Sequence, residues 1–280
     1  ALFGKLASPL TLAPKPTPKK KKSKKVEEAP VNAKINYKSV TSGTWAKFKT
    51  RTLFEIKQIM FSPPFYILLI FSGFTIISSF FGNGSFYGTS EWALTKSMVT
   101  QIFGSFSLMM IVIITYYSGE VVWRERSSGM GDIVDSMPVF NMTFWLSKLI
   151  AVCLTLLSLF VIGMCVTITY QLIVGVNDLE LGQYFISLFF FHAPGMLMMV
   201  VLAFFLQVLS PNKFVGMLLF LGYFLASLSF YQLGLEHNLL NFAASPMMQY
   251  SDLNGYGWYL ETQAWYLIYW GAMCVILSTI

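Results

Sequence analysis

The side chains able to do chemistry are few, and they do not assemble into a familiar constellation. His192 and His237 are the two histidines, and Cys153, Cys165 and Cys274 the three cysteines. There is no HExxH, no paired-cysteine metal pattern, no GxSxG turn and no Gly-Lys-Ser/Thr phosphate loop. Glu236 beside His237 lacks a third ligand and reads as a polar loop dipeptide. No catalytic, cofactor-binding or metal-binding residue is therefore assigned, and any nucleotide chemistry is expected in a partner. The densest group of charges is Glu120, Arg124, Glu125 and Arg126, followed by Asp132 and Asp135. Among them Met130, Ile133, Val134 and Met137 recur at i, i+3, i+4 and i+7, the spacing of an amphipathic helix. Charges of both signs around an apolar stripe suit docking rather than bond-breaking.

The elements that position this group are strongly apolar. The chain has 280 residues, 55% hydrophobic and 11% charged, against about 25% charged in a soluble domain. Six apolar runs, near 64–82, 98–118, 148–173, 184–208, 214–232 and 263–280, approach the ~20 residues a helix needs to cross a bilayer. They are continuous rather than alternating, which excludes barrel strands. The expected fold is an all-α polytopic membrane protein of six transmembrane helices.

The charged stretch falls between the second and third runs. Ser128 is expected to cap its short helix and Pro138 to stop it, with a further helix opening near Asn141 and running through Lys148. Residues 1–44, with the run KKKKSKK, read as a disordered basic linker. The run serves topology, or alternatively attraction to anionic lipid; nucleic-acid binding is not expected. Residues 45–62 read as a basic interfacial amphipathic helix, with Trp45, Phe48, Leu53, Ile56, Ile59 and Met60 on one side. Residues 63–280 carry the spans.

Orientation follows from charge. If the linker is inside, Lys96 is the one Lys or Arg placed outside, which puts both termini in the cytoplasm. The long loop near 233–262 is apolar enough to dip partly into the membrane, and Trp258, Tyr259, Trp265, Tyr266, Tyr269 and Trp270 form an interfacial belt. His192, two residues before Pro194, is the one ionisable side chain at depth. Its readings are a pathway residue or an imidazole held by a neighbouring helix. Gly222 and Ala226 offer a small-xxx-small packing contact. The chain opens without Met and closes within an apolar run, so both ends are expected to be cuts in a longer polypeptide.

Gly119-Glu120, Arg124-Glu125-Arg126, Gly129, Ile133, Pro138 and Lys148 together resemble the elbow of type-2 ABC transporter permeases, with Ser147 where that family has Gly. The resemblance implies a coupling helix in the elbow, docking to a nucleotide-binding subunit through Glu120, Arg124, Glu125, Arg126, Met130, Asp132, Ile133, Asp135 and Met137. It also implies re-entrant helices in the last outer loop and a second permease half or copy. ATP and magnesium would belong to the partner subunit, and the setting would be a bacterial inner membrane. Pro246 and YSDLNGYGWYL further resemble the second membrane half of permeases fused to a gluzincin-type zinc aminopeptidase, whose HExxH is absent here. The implied function is export driven by ATP hydrolysis. The rival reading is a membrane anchor or scaffold for an associated peptidase, without transport.

Overall fold

Where the sequence runs without a breaker, the helices run longer than the apolar stretches. The computed structural model describes residues 44–82, 92–136, 141–176, 178–230, 232–235, 237–246, 250–251 and 253–279. The linker before residue 44, Met137, Pro138, Glu236, Met247, Met248 and Asp252 lie outside the described residues, as does the side chain of Asp135.

Helix α1, Thr44–Met60, leads through Ser62 into α2, Pro63–Gly82. Proline suits the first position of a helix, where its missing N–H removes a donor with no intrahelical acceptor. Helix α3, Thr95–Ser127, has 33 residues. At ~1.5 Å per residue it is longer than a ~30 Å hydrocarbon core. The expected span ended near residue 118, but nothing between there and Ser127 interrupts the ladder. Glu120, Arg124, Glu125 and Arg126 thus ride on the same rigid rod as the apolar residues. Gly129 ends it, with φ +69°. The Gly129 N–H donates to Arg126 O and the Met130 N–H to Glu125 O, the paired bonds of a Schellman termination.

Ser128 is accordingly a correction. It closes α3, its Oγ donating to Glu125 O at 3.1 Å, instead of capping the helix that follows. That helix, α4, is Gly131–Asp135, preceded by Met130 with no side-chain cap. Helix α5, Asn141–Val174, opens where expected and has 34 residues.

The next rod is α6, Leu181–Phe185, a π-helical stretch Ile186–His192, and α7, Ala193–Leu209. Pro194 supplies no N–H to the ladder. The Ala193 N–H reaches back five residues to Leu188 O, the π-type bond that takes up the slack. Helix α8, Lys213–Phe230, starts with Asn212 Oδ1 accepting from the Val215 N–H at 3.0 Å. Helix α9 is Tyr259–Thr279.

Five of these rods are long and apolar enough to cross a membrane: α2, α3, α5, α6–α7 together, and α8. Helix α9 occupies the place of the sixth expected span and has 21 residues. Glu261, Thr262 and Gln263 dilute its first turns, and it is not among the five.

All described residues fall in the compact unit Ser42–Ile280. Helix α3 is its axis, packed on α2, α5, α7 and α8. Ile102, Phe106, Met110, Ile113, Tyr117 and Val121 bury one side of α3 against Ala151, Leu156 and Phe160 of α5 and Val200, Ala203 and Phe204 of α7. At the α3–α5 crossing a Cβ on Gly163 would lie 2.7 Å from the Phe106 ring, so glycine sets the approach. Helices α2 and α8 keep broad apolar faces exposed, among them Ile67, Ile70, Phe74, Leu218 and Leu225. Gly222 and Ala226 are exposed on α8 rather than packed, because α8 turns other residues, Gly216 and Phe220, to the bundle. Cys165 is likewise exposed.

Helix α1 presents a different face from the one its apolar residues suggested. Thr52, Glu55 and Ile59 are buried against the bundle, chiefly on α5, while Trp45 and Leu53 are exposed. Charge pairing at Glu55 selects this face. Between α8 and α9 the expected re-entrant helices are replaced, among the described residues, by a 3-10 turn at Asn238–Leu240 and side-chain ties. The Phe242 N–H donates to Tyr223 Oη at 2.8 Å and Trp270 Nε1 to Ala244 O at 2.9 Å. Trp270 is therefore buried, whereas Trp258 and Trp265 are exposed.

Candidate functional site

Three helices meet where α3 ends, and charge joins them. Glu55 is 1% exposed. A buried carboxylate must be paired to remain ionised, and two guanidinium groups pair it. Arg51 Nη2 lies 2.7 Å from its Oε1, an i,i+4 contact along α1, and Arg124 Nη1 of α3 lies 2.7 Å from its Oε2. Arg124 also donates to Gln58 Oε1 at 2.7 Å. Arg51 continues to Glu125 of α3, and Lys148 Nζ of α5 donates to Glu125 Oε2 at 2.8 Å. The result is one chain of ion pairs through α1, α3 and α5.

A second tie joins α3 to α8. Lys213, at the first position of α8, donates to Glu120 Oε2 at 2.5 Å, in a pair about one-third exposed. Beside it, Trp123 Nε1 donates to Gln207 Oε1 at 3.0 Å. Gln207 is wedged between Gly119 and Gly216, where a Cβ would sit 3.0 Å from its Nε2 and 2.3 Å from its Oε1. Arg126 lies 5.3 Å from the Trp123 ring.

The nine elbow residues singled out from the sequence thus divide. Glu120, Arg124 and Glu125 are turned inward to partners in this chain, and Arg126 covers Trp123. Met130 is 52% and Ile133 59% exposed, and Asp132 is exposed with them. Asp135 contributes backbone to α4, and Met137 lies outside the described residues. His192 is far from this group: its ring stacks on Phe103 of α3 with centroids 4.1 Å apart. The hold on a neighbouring helix is a stack.

Arg51, Glu55 and Gln58 are the partners that motif reading left out, and Lys148 entered it without its pairing to Glu125. A signal was present, because Glu55 is the one acid in an otherwise basic helix. Under α4 a cleft of about 180 Å³ opens, bounded by Val134, Trp145, Lys148 and Phe204. Among the described residues no group of three or more His, Cys, Asp or Glu side chains comes together as a metal site.

The arrangement supplies mechanics. The five-residue helix α4, with Ile133 exposed on it and Met130 exposed just before it, lies in the chain between rods of 33 and 34 residues, and ion pairs join those rods to each other and to α1. No protein-family model, curated protein or solved structure matches this chain.

Proposed function

We propose that this chain is the transmembrane permease part of an ATP-driven ABC transporter, an exporter in a bacterial inner membrane. A separate nucleotide-binding subunit hydrolyses ATP and docks on α4. The observation that carries this reading is the exposure of Met130, just before α4, and Ile133, on it, next to the ion-paired end of α3. Isolated apolar side chains at a surface need no explanation; two within four residues between membrane rods supply the anchors a partner groove takes up. Helix α9 serves as the sixth span, both termini lie in the cytoplasm, and a second permease half or copy completes the pathway.

The test is the double variant Met130→Asp with Ile133→Asp. Charge on an apolar anchor removes ~2 kcal/mol or more of binding, so co-purification of a phosphate-loop ATPase and stimulation of its turnover should fall at least tenfold while membrane insertion is kept. Unchanged stimulation would transfer the weight to the anchor reading, in which the chain positions an associated peptidase.

A further inference from the structure

We propose that the cleft under α4 binds an anionic phospholipid whose headgroup sits on Lys148 and whose acyl chain lies on Trp145, Phe204 and Val208. The inference needs the membrane setting but not the ATPase partner.

The cleft has two kinds of wall. Glu125, Asn141 and Lys148 supply the polar one, and Val122, Trp145, Phe204 and Val208 the apolar one. Trp145 and Phe204 meet edge to face, 6.5 Å between centroids, and form a continuous aromatic surface. On its flank Val208 is 62% and Leu209 67% exposed, so the cleft borders an apolar surface of the kind that faces lipid. An amphipathic occupant matches both walls at once; a free polar metabolite matches one.

The sign of the occupant follows from the charges. Arg51, Arg124 and Lys148 meet only Glu55 and Glu125 in the ion-pair chain, which leaves it one positive charge in excess. Arg51 Nε is buried and without a hydrogen-bond partner among the described residues, behind the Phe144 ring of the cleft wall. Among the described residues Lys148 Nζ has one hydrogen bond, to Glu125, from its three donors. Asp132 of α4 is exposed and is not part of the cleft wall. Basic pockets between membrane helices at the headgroup level are the physical form of anionic-lipid recognition. Because Val134 of α4 is part of the cleft wall, an occupant would brace the elbow from below.

The experiment uses the whole chain in a neutral detergent. Short-chain phosphatidylglycerol, short-chain phosphatidylcholine and inorganic phosphate are titrated separately, and dissociation constants are measured by native mass spectrometry. Phosphatidylglycerol should bind at least about fivefold more tightly than phosphatidylcholine. Lys148→Gln should erase that preference and Lys148→Arg should keep it. Glu125→Gln, which releases Lys148 and Arg51 from their shared carboxylate, should strengthen phosphatidylglycerol binding. Should Lys148→Gln fail to fold, the gain in Glu125→Gln tests the same claim from the other side. Equal binding of the two lipids, or no gain in Glu125→Gln, overturns the proposal. So does full competition by inorganic phosphate, which would make the ligand a free anion.

Discussion

The two ends of the bundle are held together by different chemistry. At the end where α3 terminates, helices are joined by formal charges: Glu55 to Arg51 and Arg124, Glu125 to Arg51 and Lys148, Glu120 to Lys213. At the end where α6 begins, the ties among the described residues are neutral. Gln171 Nε2 donates to Ala93 O at 2.7 Å, Tyr184 Oη to Gln171 Oε1 at 2.8 Å, and Tyr256 Oη bonds Ser187 and donates to Gln183 O at 3.4 Å. The neutral end also leaves Gln183 Oε1 and Gln263 Oε1 buried without partners among the described residues. Ion pairs in a poorly hydrated setting are strong once formed and severe when broken. Neutral bonds exchange at small net cost. The charged end is therefore expected to resist opening more than the neutral one, next to which the π-helical turn at Ile186–His192 and Pro194 lie.

The comparison breaks most sharply at Glu55. Replacing it by Ala leaves Arg124 of α3 with no carboxylate, only Gln58, and Arg51 of α1 with Glu125 alone, at a site where the carboxylate is 1% exposed. Losing one partner of a buried pair removes about 3–5 kcal/mol, so Glu55→Ala should detach α1 and markedly lower the unfolding midpoint in detergent. Glu120→Ala, on α3, is the control for an exposed pair at the same end, since its pair with Lys213 is one-third exposed on both sides. Exposed pairs contribute ~0–1 kcal/mol. If the two variants lose the same stability, burial is not what distinguishes the ion-pair chain.

At the neutral end Tyr256→Phe removes a hydroxyl that bonds Ser187 but keeps the ring against Phe191, 4.7 Å between centroids. The expected loss is about 1 kcal/mol, read as a small fall in the same unfolding midpoint. A loss as large as that of Glu55→Ala would mean that both ends are equally rigid.

How far the sequence speaks differs between these ends for a physical reason. Apolar runs long enough to span a bilayer are visible as composition, and five of them lie in rods, three within a few residues of their expected limits and two, α3 and α5, running well past the apolar stretch at one end. The start of α5 at Asn141 and the short helix after Gly129 were also legible, because turn residues punctuate them locally. The ion-pair chain was not. Glu55 and Arg124 are 69 residues apart, and nothing in either neighbourhood announces the other. The charges of residues 120–126 therefore read as one docking surface, when three of them pair within the bundle and the exposed part of the elbow combines Met130 and Ile133 with Arg126 and Asp132. Near the other end, composition suggested re-entrant helices where Trp270 and Tyr223 hold irregular backbone by hydrogen bonds instead. Hydrophobicity does not tell how the polar backbone of that segment is satisfied.

The finest test of the contrast is Gln263→Met. Its Nε2 donates weakly to Phe191 O at 3.5 Å, and its Oε1 is buried with no acceptor role among the described residues. Methionine has nearly the same length and volume and carries no carbonyl to desolvate. An unpartnered buried acceptor destabilises by ~1–3 kcal/mol, whereas the long bond lost contributes ~0.5–1.5 kcal/mol. The difference predicts a neutral to slightly raised unfolding midpoint. An isosteric swap of a buried polar residue is rarely harmless, so this outcome is specific to a site whose hydrogen bonds are incomplete. A clear fall in the midpoint would mean that Oε1 is satisfied in the membrane, by water or by a bound solute.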